Sequence, residues 1–340
     1  MWLTGWKYRK KITIQGSSGA GTNYQVLLKV GESSGATGAD FHLHGLSDNF
    51  PSGKNQSGDL RLTSSDGSTL LDFWVENVLG TSPNRIAYVW VEVLEDLGTN
   101  KDIYVYFGGG ESSPNVSNGN NTFLFFDDFE GTSIDTTKWD TSEVTILSYS
   151  NSLVNYRSNT NNHRYLMYKL DTYSNVAIRA RQKDTSTHPV IGLVARKSTY
   201  YGNTIDNLYY ARFYSINESV ARPEINKRVS GTNYVLQSDT TGYTVPNDWH
   251  IEEFCLNGSN LRHKLIKEDG YQPVGPGEWG ATDTSFTSGY IGLFSEWNNK
   301  NIYTDWILVR KFVSSEPAFL SAGPLEEFLG SRRRLLISSY

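Results

Sequence analysis

The chain has a single cysteine, Cys255, among its 340 residues. One thiol excludes an internal disulfide and any zinc site built from a cysteine cluster. Cys255 stands in a segment, 250–256, that reads as a strand, so a small buried hydrophobe is expected there rather than a nucleophile. Long apolar runs are also missing. No stretch reaches the roughly 18 residues that a membrane-spanning helix needs, so no membrane insertion is expected. Charge of one sign is scarce: 31 Lys and Arg against 36 Asp and Glu leave a net charge of −5. That balance gives no electrostatic reason to bind nucleic acid or an acidic membrane. The first residues carry no apolar segment ahead of their charges, so no signal peptide is expected there. On this reading either the export signal lies outside the chain, or the protein leaves the cytosol within an assembled particle. No long amphipathic helix can be traced, and the triplet Glu-x-Asp does not occur.

What the chain does have is aromatic residues, 13% of the total with 21 Tyr and 9 Trp, and period-two alternation. Both suit β-structure. Strands are expected at 8–14, 24–30, 60–63, 70–78, 85–93 and 103–107, with Asp66-Gly67 as a hairpin turn. A long surface loop is expected at 31–58. Residues 108–121, GGGESSPNVSNGNN, have the composition of a linker. Beyond them, strands are expected at 164–170, 175–182, 190–196, 208–215, 234–238, 250–256, 261–267, 290–296 and 302–312. The fold class is therefore all-β, with an N-terminal β-sandwich domain at 1–110, a linker at 111–121, a second two-sheet domain at 122–315 and a tail at 316–340. The tail holds a short helical pattern and the cluster Arg332-Arg333-Arg334. Glycosylation sequons at Asn55, Asn115, Asn120, Asn217 and Asn257 fit an extracellular life, although an Asn- and Ser-rich chain produces such triplets by chance.

Catalytic chemistry is poorly represented. Retaining glycosidases need two carboxylates about 5 Å apart, commonly on one face of a strand. Glu92 and Glu95, and likewise Glu252 and Glu253, would point to opposite faces. No Ser/His/Asp arrangement, phosphate loop or dinucleotide fingerprint is present. His42 and His44 could share one face near Asp40 and Asp48, but a solvated loop without metal is the expectation. Sugar recognition wants an aromatic face beside Asn, Asp or Gln donors and acceptors. Two stretches offer that pairing: Tyr200, Tyr201 and Asn203, and Trp279 with Trp297, Asn298 and Asn299. Trp279 and Trp297 fall in expected loops, where exposure is anticipated. Tyr209, Tyr210, Trp249 and Trp306 are expected to be packing residues.

Two resemblances add context. The blocks FLFFDDFEGTSIDTTKW at 123–139 and GYIGLFSEWNNKNIYTDWILVRKF at 289–312 resemble the opening and closing strands of concanavalin A-like jelly rolls, the fold of laminin-G domains, many lectins and some glycosidases. The likeness covers about 122–315. It implies pairing of the first and last strands and, in many such domains, a structural Ca²⁺ where they meet, with Asp128, Glu130 and Asp305 as candidate ligands. Asp305, inside a strand, is either a Ca²⁺ ligand or the partner of an Arg or Lys. The segments WKYRKKITI at 6–14, DLRLTSSDG at 59–67, LDFWVE at 71–76, VWVEV at 89–93 and YVYFG at 104–108 resemble domain of unknown function 2341. That family occurs in archaeal and bacterial surface proteins. Together these readings imply a non-enzymatic protein at a cell surface or in a virion, acting in adhesion or recognition of a glycan or glycoprotein. The alternatives are a self-assembling structural subunit of a filament, sheath or particle, and a glycoside hydrolase, which the missing paired carboxylates disfavour.

Overall fold

A computed structural model describes the whole chain apart from residues 151, 187, 202–205, 218–219, 245–247, 269–270, 330–333 and 336–340. The strands are β1 (Tyr8–Gln15), β2 (Tyr24–Gly31), β3 (Phe41–His42), β4 (Arg61–Thr63), β5 (Phe73–Leu79), β6 (Ile86–Val93) and β7 (Lys101–Phe107). A short helical turn, α1 (Gly119–Thr122), precedes β8 (Phe125–Asp127), β9 (Trp139–Asp140), β10 (Val144–Ser150), β11 (Leu153–Ser158), β12 (His163–Tyr168), β13 (Val176–Asp184) and β14 (Val190–Lys197). Then come β15 (Leu208–Asn217), β16 (Val220–Val229), β17 (Thr232–Ser238), β18 (Tyr243–Thr244), β19 (His250–Asn257), β20 (Asn260–Lys267), β21 (Gln272–Pro273) and β22 (Trp279–Thr282). The last are β23 (Tyr290–Glu296), β24 (Ile302–Lys311), β25 (Ala318–Glu327) and β26 (Arg334–Leu335).

The chain forms two compact units. The first comprises Met1–Leu124 and Val313–Tyr340, the second Phe125–Phe312. In the first, a sheet of order β26-β25-β1-β7-β4 faces one of order β3-β2-β6-β5. Alternation decides which side chains meet between them. In β6, Ala87, Val89, Val91 and Val93 are fully buried in that core, while Trp90 turns the other way and donates its indole N–H to Glu76 at 2.6 Å.

Three boundaries differ from the sequence reading. The expected tail supplies β25, an inner strand antiparallel to β1, with Ile14 opposite Phe319 and Arg9 opposite Glu326. The Arg9 guanidinium holds Glu326 at 2.8 Å through Nε and Nη2. Gly323 and Pro324 hid this strand. They fall in a β-bulge between the pairs Lys10/Leu325 and Ile12/Ala322, where a missing N–H costs no ladder bond. The expected linker is docked rather than free: Val75 N donates to Ser117 Oγ and Asn118 N to the Phe73 carbonyl, both at 2.9 Å, along the edge of β5. The loop at 31–58 is not all surface, because Phe41, Leu43 and Phe50 enter the core. It is tied down by the buried carboxylate of Asp59, which accepts from Ser47 Oγ and from the backbone N–H of Asp48 and Gly108.

The second unit is a jelly-roll-like sandwich. One sheet runs β10-β11-β24-β13-β19-β20-β21, with β8 on β24 and β22 on β20. The other runs β17-β16-β15-β14-β23-β12-β9, with β18 on β16. The opening and closing strands do pair, Asp127 opposite Ile307 and Phe125 opposite Val309. Cys255 is fully buried in β19.

Removal of residues 316–340 should strip β25 from the first unit while leaving the second intact. Scanning calorimetry is expected to lose the unfolding transition of the first unit and keep that of the second. A first-unit transition surviving the deletion would show that β25 is an accessory strand.

Candidate functional site

In the sheet containing β14, β15 and β23, one set of alternate residues faces the sandwich core: Ile191, Leu193, Tyr209, Ala211, Ile291 and Leu293. The other set points away from it. That outward face is not a simple polar surface. Tyr165, Met167, Val190, Val194, Leu208, Tyr210 and Phe294 form a second, separate apolar cluster there. Tyr210 and Phe294 stack with ring centroids 5.1 Å apart and planes 9° from parallel. Gly192 allows the close fit: a Cβ on it would lie 2.7 Å from the Ala211 carbonyl oxygen and 3.0 Å from Phe294 Cβ.

Next to this aromatic floor sits a charged constellation from four strands. Arg212 of β15 lies opposite Glu224 of β16, and His163 of β12 opposite Glu296 of β23. The Arg212 guanidinium bridges both carboxylates, Nε to Glu224 Oε2 at 2.9 Å and Nη1 to Glu296 Oε2 at 2.7 Å. His163 Nε2 is 3.1 Å from the other oxygen of Glu296, and His163 Nδ1 has no hydrogen-bond partner. Tyr214 lies beneath Arg212, 4.6 Å from guanidinium carbon to ring centroid. The side chains of Arg212, His163, Glu224 and Glu296 retain 12, 12, 13 and 10% of their exposure. They are held rigidly yet stay reachable. Burial alone would raise the Glu296 carboxyl, but the His163 hydrogen bond and the Arg212 charge outweigh it and hold the group below the usual carboxylate range. Further along the face Arg228 Nη1 donates to the Tyr165 hydroxyl at 3.3 Å.

The sequence-predicted residues divide around this face. Tyr200 packs edge-on against Tyr290 at 5.3 Å and joins the apolar cluster, with the exposed Tyr201 against it. Asn203 lies outside the described residues. Trp297, half-buried and with a positive φ of 60°, follows Glu296 directly, with Lys300 Nζ 5.5 Å from its ring centroid. Asn298 and Asn299 beside it are exposed. Trp279 corrects the expectation of a loop residue at a rim. It opens β22, pairs with His263 and keeps 5% of its exposure in the sandwich core. Its Nε1 donates to Asp239 at 3.0 Å. The turn Gly275-Pro276-Gly277 ends before it, so Trp279 is already on a strand.

Asp128, Glu130 and Asp305, the candidate Ca²⁺ ligands, lie near the joined opening and closing strands or the turn after β8. Among the described residues no group of three or more His, Cys, Asp or Glu is placed to hold a metal. Asp305 is the extra residue of a bulge between the pairs Arg181/Trp306 and Gln182/Thr304, and its Oδ2 meets Arg181 Nη1 at 3.0 Å. Glu130 accepts from Ser152. Asp128 follows β8, whose last residue Asp127 accepts from Trp139 Nε1 at 2.8 Å. His44 sits with its Nε2 3.2 Å from the ammonium of Lys10, and burial with that charge lowers the His42 and His44 pKa values. Tyr209, Tyr210 and Trp306 are buried packing residues as expected, while Trp249 is half-buried under the guanidinium of Arg181, 3.9 Å from its ring.

Arg212, Glu224, Glu296 and His163 were not singled out from sequence. The signal was a charged residue at an outward position of an otherwise aromatic or apolar strand, as in LYYARFY.

Comparison with protein families matches residues 56–142 to "Domain of unknown function (DUF2341)". The match begins later than the sequence reading placed it and runs on through β9. No curated protein matches the chain. Solved structures do. The carbohydrate binding module CBM66 from Bacillus subtilis is 15% identical, over 56% of this chain and 97% of its own, with a TM-score of 0.37. A protein of unknown function with a galectin-like fold, also from Bacillus subtilis, is 12% identical over 56% and 96%, with a TM-score of 0.41. A beta-1,3-glucanase from Mycobacterium marinum is 12% identical over 58% and 99%, with a TM-score of 0.37.

The two tryptophans should separate in denaturant titrations of the second unit. Trp279→Ala empties a core position and is expected to cost about 3–5 kcal/mol. Trp297→Ala loses little beyond its contact with Lys300 and is expected to cost about 1 kcal/mol or less. Equal costs would overturn the placement of Trp279.

Proposed function

We propose that the second unit is a non-catalytic carbohydrate-binding module whose site is the outward face around Arg212. The observation that carries this reading is the guanidinium pinned between Glu224 and Glu296 beside the stacked rings of Tyr210 and Phe294. Vicinal sugar hydroxyls each donate and accept, and this array offers donors and acceptors in fixed alternation. The C–H face of a pyranose or furanose suits an aromatic ring at the edge of the array, such as Tyr214 beside Arg212. A preorganised array of this kind costs little ordering on binding. The partner is a glycan or glycoprotein, and the setting is adhesion or recognition outside the cell or on a particle.

The electrostatics of this face support binding rather than turnover. A general acid needs a carboxyl that stays protonated near neutral pH. Glu296 is held ionised by Arg212 and His163, and Glu224 shares the same guanidinium.

The structural-subunit alternative has one observation of its own. β17 is an edge strand with Tyr234 and Val235 exposed on opposite faces, at 48 and 59%, and such edges pair with other chains. Sedimentation of Val235→Lys against the parent chain tests it: an assembly that persists unchanged removes the edge from consideration.

A glycan array on the parent chain should give binding that Arg212→Ala weakens about ten- to a hundredfold, the loss expected for hydrogen bonds to a charged group. Arg212→Lys should not rescue it, because an ammonium cannot bridge two carboxylates in one plane. No reducing ends should be released. Undiminished binding by a folded Arg212→Ala chain sinks the assignment. The pH dependence has a fixed sign. The folded pKa of Glu296 is depressed from 4.5, so its contribution is complete above that value and disappears as pH falls through the lowered one. Binding should therefore hold from neutral pH to about pH 5 and fail in stronger acid.

A further inference from the structure

The far end of the same sheet carries a second charged group that glycan binding does not use. Lys197 closes β14, and Asp206 stands just ahead of β15, the two flanking one hairpin connection. Lys197 Nζ lies 3.0 Å from Asp206 Oδ1, with side-chain exposures of 0 and 3%. The amine is fixed by the carbonyl oxygens of Thr199 at 2.8 Å and Tyr201 at 3.1 Å. Tyr165, itself fully buried, has its ring centroid 5.8 Å from Nζ. A third ionisable side chain, Glu143, is also buried, at 7% exposure, and feels the charges of both. Its carboxyl takes the Tyr165 backbone N–H, while its Oε2 has no hydrogen-bond partner. A buried ion pair needs no third carboxyl, and adding one costs desolvation. Burial pushes the Glu143 carboxyl up to about 7, with Lys197 and Asp206 among the charges that act on it. It is therefore substantially protonated at neutral pH, within reach of the Lys197 and Asp206 charges.

We propose that Lys197 and Asp206 condense to an intramolecular amide, with Glu143 moving the proton. The steps balance without any oxidant or co-reactant. In the buried pair, the ammonium of Lys197 passes one proton to Asp206, giving a neutral amine and a neutral acid. The amine lone pair attacks Asp206 Cγ and the Nζ–Cγ bond forms. Protonated Glu143 gives its proton to the departing oxygen, the Cγ–O bond breaks and water leaves. Glu143 then takes back a proton from Nζ. The net change is one ammonium and one carboxylate converted to one amide and one water. Two buried charges disappear, and the remaining amide N–H still has the Thr199 carbonyl to donate to. The product would join the end of β14 to the start of β15, close to Tyr200 and Tyr201.

Mass spectrometry of the purified full chain tests this. The parent is expected to be lighter than its sequence by one water. Trypsin should yield a peptide running from Lys197 to Arg212, uncut after Lys197 and one water lighter. Lys197→Arg keeps a cation against Asp206 but cannot form the amide, and should show full mass with an unchanged near-ultraviolet circular dichroism spectrum. Glu143→Gln keeps both reacting groups and should also show full mass. A folded parent chain of full mass, cut normally after Lys197, overturns the proposal. A water loss that survives in Lys197→Arg overturns the assignment to this pair. Because glycan binding is not read in this experiment, its outcome is independent of the assignment to Arg212.

Discussion

Arg212 has lost nearly nine-tenths of its side-chain exposure, and a guanidinium cannot shed its proton to escape the cost. It must be paired where it stands. Opposite pairing in the sheet brings Glu224 to it from one neighbouring strand, and Glu296 reaches it from β23. Once both carboxylates are committed, Glu296 needs a second partner for its free oxygen, and His163 on β12 supplies it. One buried charge thus ties together strands that are distant in sequence. It also fixes the plane in which any ligand would meet donors and acceptors. The stacked pair Tyr210 and Phe294 is the other half of the constraint, since Gly192 is the position that lets the strands bring those rings together.

The same constraint explains what could be read from the sequence. Strands with one apolar face and clean alternation were legible almost to the residue: 290–296 was read and Tyr290–Glu296 found, and 24–30 became Tyr24–Gly31. β16 was missed. Its sequence, VARPEINKRV, has a proline and a charged or polar residue at every outward position. Those outward positions, Glu224, Asn226 and Arg228, are the ones that line the candidate site. The side chains that give the face its chemistry are the ones that erase the strand's hydrophobic signal. Strand β25 was hidden by Gly323 and Pro324, which the bulge accommodates. For Trp279 the preceding Gly-Pro-Gly turn was legible, but the short strand Trp279–Thr282 that follows it was not, and Trp279 was given to the loop.

Aromatic enrichment in the sequence pointed to residues at the border of the proposed face rather than to those on its floor. Tyr200 and Trp297 lie in sequence at the two ends of strands bordering the outward face, Tyr200 beyond β14 and Trp297 beyond β23. The rings that form its floor, Tyr210 and Phe294, sit inside strands and read as packing. They are packing, against one another, on the face away from the sandwich core. A period-two pattern shows which residues share a face. It does not show that both faces of one sheet are buried.

Both sheets of the second unit carry a charged cluster on the face away from the core, and the two differ in how much of each stays exposed. On β19, Glu253 meets Arg310 at 3.1 Å, Arg179 at 3.5 Å and Lys264 at 3.4 Å. There one carboxylate is surrounded by three cations, and Glu253, Arg179 and Arg310 keep 4% or less of their side-chain exposure. The cations hold Glu253 far below the usual carboxylate range although burial opposes it. That cluster is closed, because both oxygens of Glu253 are engaged by donors and Lys264 also reaches Glu278. Around Arg212 the ratio is reversed. Two carboxylates and one imidazole share one guanidinium, and each side chain keeps about a tenth of its surface, while the unpartnered Nδ1 of His163 is itself buried. The partly exposed carboxylates of Glu224 and Glu296 leave acceptor lone pairs in reach beside aromatic rings, which is what the proposed neutral polyhydroxylated ligand requires.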